Sequence, residues 1–287
     1  MARPENMHTR IFLDGSDLSE MDQIQATLGF LDGQTTNPSN FISALKKERG
    51  EEGLQFEQEA LYALYKSRVQ EISKKIPNGS VSIEVYADAD TTAEAMIAQG
   101  KDMYTWIPNA HIKLPITTAG LAAAETLVGA GMRVNMTLCF SQEQAAAVYA
   151  ATQGAKKGDV FISPFIGRVN DKGNNGMDLI TNILKMYRDG DGHVDVLAAS
   201  IRNGEQLAKA IAVGADITTS YKQAIDEWAT AGMPVSDAAE FIHPTLSPIP
   251  YETLSLEKAW QEYHIQHDMT DDGLRRFAED WNNLLTS

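Results

Sequence analysis

Eight short runs rich in apolar and β-branched residues alternate with longer stretches of helical pattern, and that alternation limits the folds open to this chain. The runs fall at residues 11–14, 33–36, 81–85, 112–114, 134–137, 160–163, 194–199 and 216–218. Each is short and bounded by turn or polar residues, as strands are. Strict strand–helix alternation predicts a parallel sheet with right-handed crossovers. Eight repeats predict closure into an α/β fold, a (β/α)8 TIM barrel, whose usual size is about 250 residues. The 287 residues of the chain fit one such barrel. An open doubly wound sheet is the alternative, but no G-x-G-x-x-G follows the first run, which weighs against it.

The intervening helical patterns carry their own start and stop signals. Gly120 to Leu127 is followed by Gly129-Ala130-Gly131, a stop signal, and Ser141 with Gln144 reads as a capping box. The stretch from Glu48 to Lys75 is charged and helical in character, and it is expected outside the barrel between the second and third strands. From about His243 the repeat ends. Pro244, Pro248 and Pro250 predict an irregular connector, and Leu274 to Trp281 a closing amphipathic helix. No linker separates a second domain, so residues 1–287 are expected to form one barrel domain, with 243–287 a C-terminal helical extension packed on it.

The formal net charge is -15. Nucleic-acid binding needs a Lys/Arg stripe, so no nucleic-acid partner is expected. An anionic ligand would need a local cluster of Arg to overcome the global field. One cysteine, Cys139, excludes an intramolecular disulfide and fits a reducing compartment. The polar start of the chain and the lack of any long apolar run predict a cytoplasmic protein with no membrane partner. Self-association into a homo-oligomer remains open.

Function is suggested by which strand residues are polar. Asp14, Thr35, Asn37, Glu84, Lys113, Asn135, Thr137, Ser163 and Ser200 all sit in, or at the C-terminal ends of, the predicted strands. Barrel interiors are normally filled by Val, Ile and Leu, and barrel active sites lie at the C-terminal strand ends. A buried unpaired charge costs several kcal/mol. Converging polar residues there are therefore expected to be a site. Lys113 lies between Ile112 and Leu114. Burial disfavours its ammonium form, and a neutral amine condenses with a carbonyl to give an imine. Asp14 and Glu84 can move protons. Asn37, Asn135, Thr137 and Ser163 can hydrogen-bond a polyol. Arg168 after the sixth strand, with Ser200 and Arg202 after the seventh, makes a phosphate cradle.

Taken singly, each residue has a duller explanation. Such a lysine often snorkels at an edge, Asp before Gly is often a turn residue, and Arg after a strand is usually on the surface. What raises the functional reading is that an amine, two carboxylates, amides and two guanidiniums share one end of one barrel. His264 and His267 lack a third ligand, so no metal is expected. Cys139 reads as a small buried hydrophobe. Asn174-Asn175-Gly176 reads as a flexible loop beside the site, suited to a lid.

Leu13-Asp14-Gly15-Ser16 followed by Thr35-Thr36-Asn37-Pro38-Ser39 resembles the opening of the transaldolase family. Ile83-Glu84-Val85, Ile112-Lys113-Leu114-Pro115 and Asn135-Met136-Thr137 resemble its third to fifth strands. Ser163-Pro164-Phe165-Ile166-Gly167-Arg168 and Ala199-Ser200-Ile201-Arg202 resemble its sixth and seventh, and Phe277 to Trp281 its closing helix. The resemblance spans nearly the whole chain in order. It implies a cofactor-free enzyme whose partners are sugar phosphates. Lys113 would form a Schiff base with a ketose phosphate and pass its dihydroxyacetone unit to an aldose phosphate. Asp14 would take the C4 hydroxyl proton, and Glu84 would act through water on the imine. Asn37, Asn135 and Ser163 would hold the dihydroxyacetone hydroxyls, supported by Thr35 and Thr137, while Arg168, Ser200 and Arg202 would hold phosphate. The related fructose-6-phosphate aldolases release free dihydroxyacetone. They resemble this chain less at two positions, having Gln for Glu84 and Tyr for Phe165, a residue expected to line the substrate pocket. A non-catalytic sugar-phosphate-binding barrel is the remaining alternative.

Overall fold

A computed structural model describes residues 2–50, 54–235 and 245–286. Eight parallel strands close into a barrel in sequence order, β1(Arg10–Asp14), β2(Gly33–Thr35), β3(Ser80–Glu84), β4(Ala110–Pro115), β5(Val134–Cys139), β6(Val160–Pro164), β7(Val194–Ile201) and β8(Ile217–Ser220). All eight predicted runs are strands of this barrel. The helices that follow β1 and β2 are α1(Leu18–Leu28), α2(Pro38–Arg49) and α3(Gln58–Lys75). Then come α4(Ala93–Tyr104), α5(Thr118–Gly129), α6(Gln142–Ala151), α7(Ile166–Asp171), α8(Gly176–Tyr187), α9(Gly204–Ala212) and α10(Lys222–Thr230). The closing helix is α11(Asp268–Asn282). Each outer helix buries one apolar stripe on the sheet. On α3, for example, Leu61, Tyr65, Val69 and Ile72 recur at helical spacing and are all buried.

Strand parity decides what the barrel encloses. In the lower half, Phe12 and Phe161 meet edge to face at 6.0 Å, and His111 stacks on Phe161 at 4.0 Å. Arg10 closes that end, donating to Asp195 at 2.6 Å with its guanidinium 5.0 Å from the Phe161 ring. Two positions further along each strand toward the C-terminal ends, Phe12 gives way to Asp14, Ser82 to Glu84, His111 to Lys113 and Phe161 to Ser163. A lower layer of packed rings closed by the Arg10–Asp195 pair, beneath an upper layer that gathers an amine and two carboxyls, supports a site at the C-terminal end of the barrel.

Several local expectations need correction. The helical segment before β3 is two helices rather than one, because Pro38 at the first turn and the Asn37 cap start α2 well before Glu48. Residues 51–53 of that stretch, and His243 and Pro244 of the expected connector, lie outside the described residues. The capping box at Ser141 is only half formed. Ser141 Oγ accepts from the Gln144 N–H, but Gln144 Oε1 accepts from the Phe140 N–H instead of that of Ser141. Asn175 is not part of a flexible lid. It is buried, caps α8 and donates to Asp178 at 2.8 Å, while its own N–H donates to the Ser247 carbonyl at 2.8 Å. Ser200 does not follow β7 but lies within it, with φ of 58° at a register shift against β8. Leu138 has φ of 62° at the matching shift between β5 and β6. Non-glycine residues in the left-handed region cost about 1–3 kcal/mol each and gather at functional ends of sheets.

Candidate active site

Parallel pairing carries the polar residues to common heights. Asp14 is level with Thr35, Glu84 with Lys113, and Lys113 with Asn135. The Lys113 amine is consequently 2.8 Å from Glu84 Oε2, with both side chains 4% exposed. Glu84 Oε2 has no further partner among the described residues, so its contact with the Lys113 amine is the one that meets its burial. Asp14 accepts from Thr35 Oγ1 at 3.0 Å and from Asn40 Nδ2 at 2.8 Å. Loss of hydration pushes both carboxyls, Asp14 and Glu84, above the ordinary carboxylate range, and the Lys113 charge opposes that shift in each case.

A cavity of about 120 Å³ opens above this layer. Nine of the predicted residues line it: Asp14, Thr35, Asn37, Lys113 and Ser163, with Ser200 from the end of β7, Arg168 from α7, and Phe165 and Arg202 just after β6 and β7. Glu84, Asn135 and Thr137 lie outside its lining, buried in the barrel. Asn135 is held at both ends, donating to Ser82 Oγ at 3.0 Å and accepting from Ser163 Oγ at 2.7 Å. Thr137 Oγ1 is buried and has no hydrogen-bond partner among the described residues. Asn37 uses its Oδ1 to cap α2, accepting from the Asn40 N–H at 2.8 Å. Its amide nitrogen is the group left for a ligand.

The cationic end is assembled from three segments. Arg168 on α7 lies between the rings of Phe165 and Phe277, its guanidinium 5.2 and 5.6 Å from their centres. It fits because Gly273 of α11 has no side chain: a Cβ there would lie 2.7 Å from Arg168 Nη1. Gly167 does the same for Arg202, where a Cβ would stand 2.3 Å from Nε and from the Ser200 carbonyl oxygen. Arg202 donates to Asp171 at 3.0 Å in a solvent-exposed pair.

Seven lining residues were not among the predicted site residues: Ser39, Asn40, Ala199, Thr219, Tyr221, Arg276 and Phe277. Tyr221 follows β8 directly, so the rule that strand ends carry function could have found it. Arg276 had no local signal. It arrives on α11, which is docked over the barrel mouth by Thr270 donating to the Leu138 carbonyl at 2.9 Å, by Ser39 donating to Asp280, and by the Trp281 ring packed on Phe41 and Tyr65. His267 serves as the α11 cap, its Nδ1 accepting from the Met269 N–H. A larger open groove of about 810 Å³ involves other residues of α11 such as Arg275, but its charged side chains are exposed or half-buried.

A buried amine paired with one carboxylate, a second carboxylate under the same cavity and guanidiniums at its far end can hold a polar anion and move protons about a carbonyl. Residues 11–287 match the profile of the family described as transaldolase/fructose-6-phosphate aldolase. A probable transaldolase of Roseiflexus castenholzii is 34% identical over 272 residues, covering 95% of this chain and 96% of the relative. One of Dehalococcoides mccartyi is 33% identical over 275 residues, covering 96% and 99%. Another, of Halalkalibacterium halodurans, is 32% identical over 275 residues with the same coverage. Matching along the whole barrel and at this level of identity, the chain belongs to the transaldolase/fructose-6-phosphate aldolase family of enzymes.

Proposed function

We propose that this enzyme is a transaldolase, moving a dihydroxyacetone unit from a ketose phosphate to an aldose phosphate through a Schiff base on Lys113. In the reaction, sedoheptulose 7-phosphate and glyceraldehyde 3-phosphate become erythrose 4-phosphate and fructose 6-phosphate. The observation that carries the reading is the buried Lys113 amine, 2.8 Å from Glu84 and beneath the same cavity as Asp14.

Attack on the ketose C2 carbonyl requires the neutral amine, and Glu84, whose carboxyl burial pushes up, is placed to take the proton. Loss of water from the carbinolamine gives the iminium ion. Asp14 then takes the C4 hydroxyl proton, the C3–C4 bond breaks and its electron pair moves into the iminium to form an enamine. The aldose phosphate leaves. The enamine attacks the aldehyde of the acceptor, Asp14 returns the proton to the new hydroxyl, and water releases the ketose. Asn37, Asn135 and Ser163 orient the three-carbon unit, with Thr35 and Thr137 behind them, and Arg168, Ser200 and Arg202 hold the phosphate.

Phe165 favours transfer over release. Its ring, packed against Arg168 and Phe140, brings no hydroxyl to bind a water that could protonate the enamine. An acceptor-dependence assay tests this. Fructose 6-phosphate alone should yield little glyceraldehyde 3-phosphate, and added erythrose 4-phosphate should release it. Substantial turnover without acceptor would instead assign the lyase reaction of a fructose-6-phosphate aldolase. Binding without turnover under either condition would leave a sugar-phosphate-binding barrel.

A further inference from the structure

β2 pairs with β3 only as far as Thr35 against Ser82, and the chain then turns away because Asn37 caps α2. In a parallel ladder, the carbonyl of one residue and the N–H of the residue two further on face the same neighbour. The Ser82 carbonyl still finds β2, accepting from the Thr36 N–H at 3.1 Å. The Glu84 N–H faces the side that β2 has left. On the other edge β4 stays in place, and its Lys113 carbonyl accepts from the Val85 N–H at 3.2 Å. A buried N–H without an acceptor is costly, and this one belongs to the residue whose carboxyl meets the Lys113 amine.

Tyr65 of α3 fills the gap. Its oxygen accepts from the Glu84 N–H at 3.1 Å and lies 2.7 Å from Thr36 Oγ1. Thr36 Oγ1 donates to the Ser82 carbonyl at 2.8 Å, so the hydrogen between the two hydroxyls comes from the phenol. The chain Glu84 N–H, Tyr65 O–H, Thr36 O–H, Ser82 C=O leaves no donor over, and it begins and ends on β3. Tyr65, Thr36 and Glu84 are all buried, and burial raises the phenol pKa, which keeps it protonated. The Tyr65 ring is wedged among Phe41 at 5.0 Å, Trp281 of α11 at 6.0 Å and Trp106 at 6.2 Å. That packing fixes where its oxygen stands.

We propose that Tyr65 is a positioning residue for the reaction: its hydroxyl replaces the missing strand partner of Glu84 and so sets the distance over which the Glu84 carboxyl exchanges a proton with the Lys113 amine. The inference rests on the Schiff-base reading above. Tyr65 does not line the substrate cavity; it acts through Glu84. A misplacement of about 1 Å can cost about 10²-fold in rate. Burial raises the Glu84 carboxyl and the Lys113 charge pulls it back, while Asp14 raises it further and Arg168 lowers it. A Glu84 that drifts from Lys113 loses the stronger of the two opposing charges, so its pKa climbs.

The test follows imine formation with fructose 6-phosphate by rapid-quench borohydride trapping across pH, with Tm measured alongside. The proteins are the wild-type enzyme, Y65F, T36V, T36S, E84Q and E84Q/Y65F. Y65F should slow imine formation about tenfold, move its acid limb to higher pH and leave the sugar concentration at half-maximal trapping unchanged. T36V should change the rate in the same direction, and T36S, which keeps the hydroxyl, should match the wild-type enzyme. In E84Q, where the base is gone, adding Y65F should slow the step no further. Wild-type rate and acid limb in Y65F, or equal slowing by Y65F with and without Glu84, overturns the proposal. Should Y65F fail to fold, T36V slower than T36S upholds it and equal rates overturn it. A wild-type enzyme that forms no imine overturns the Schiff-base reading and this inference together, a result visible without any variant.

Discussion

Glu84 and Lys113 occupy paired positions on β3 and β4, and Glu84 Oε2 stands 2.8 Å from Lys113 Nζ with both side chains out of water. Removing one partner of such a pair strands the other, so the substitution effects here should be large and separable. Glu84→Gln keeps the shape and removes the proton acceptor. Loss of a general base typically costs about 10²- to 10⁴-fold. Stopped-flow measurement of imine formation should show that step slowed by at least about a hundredfold, whereas slowing confined to C–C cleavage would place Glu84 elsewhere in the cycle.

The pH profile follows from the two carboxyls. Burial raises both Asp14 and Glu84 above ordinary carboxylates. They must be ionised to accept protons, so activity is lost on acidification earlier than a solvent-exposed carboxylate would dictate. The acid limb of kcat/KM should lie above the ordinary carboxylate range and change shape in Asp14→Asn, which should itself lose about 10²-fold or more in C–C cleavage.

Asp14 also carries a stability cost. Its folded pKa is raised, so the folded chain binds the proton more tightly than the unfolded chain does. Above the folded pKa the ionised group therefore destabilises the fold, and that penalty is relieved as the pH falls through the folded pKa. Asp14→Asn should raise Tm at neutral pH while slowing turnover by about 10²-fold or more. A lower Tm would mean that the Thr35 and Asn40 hydrogen bonds depend on the charge.

His111 predicts the opposite slope. Burial holds its ring at a pKa of about 3, against an ordinary value near 6.5. The unfolded chain takes up a proton that the folded chain refuses. Stability is therefore complete above about pH 6.5 and falls by about 1.4 kcal/mol per pH unit as the pH drops from there toward 3. Urea unfolding at pH 7.5 and pH 5 should show that loss, and His111→Phe, which retains a ring to stack on Phe161, should flatten it. The same slope in the variant would assign the acid sensitivity to other groups.

Two glycines tune the cationic end. Gly167→Ala places a Cβ against the Ser200 carbonyl oxygen, which cannot swing aside, and against Arg202. It should cost about 1–3 kcal/mol of stability and raise KM for sugar phosphates. Gly273→Ala meets only the ends of Leu138 and Arg168, both flexible, and should raise KM with little loss of stability.

The barrel was legible because eight runs with the right spacing admit few other topologies, and the meeting of Asp14 and Lys113 at one cavity because both fall at strand ends on the same side of that barrel. Arg168, Ser200 and Arg202 followed from the same rule. What could not be read was long-range packing. Arg276 looks like any surface arginine until α11 lies across the mouth, the start of α2 was masked by the charged residues after it, and Asn175 looked mobile because the carbonyl that takes its N–H, that of Ser247, is far along the chain. The left-handed turns at Leu138 and Ser200 carry no glycine to announce them.

The most direct measurement is borohydride reduction of the enzyme in the presence of fructose 6-phosphate, followed by peptide mass spectrometry. A reduced dihydroxyacetone adduct should appear on Lys113, with activity lost in proportion and no adduct or turnover in Lys113→Ala. An unmodified Lys113, or full activity in Lys113→Ala, would contradict a Schiff-base mechanism for this enzyme.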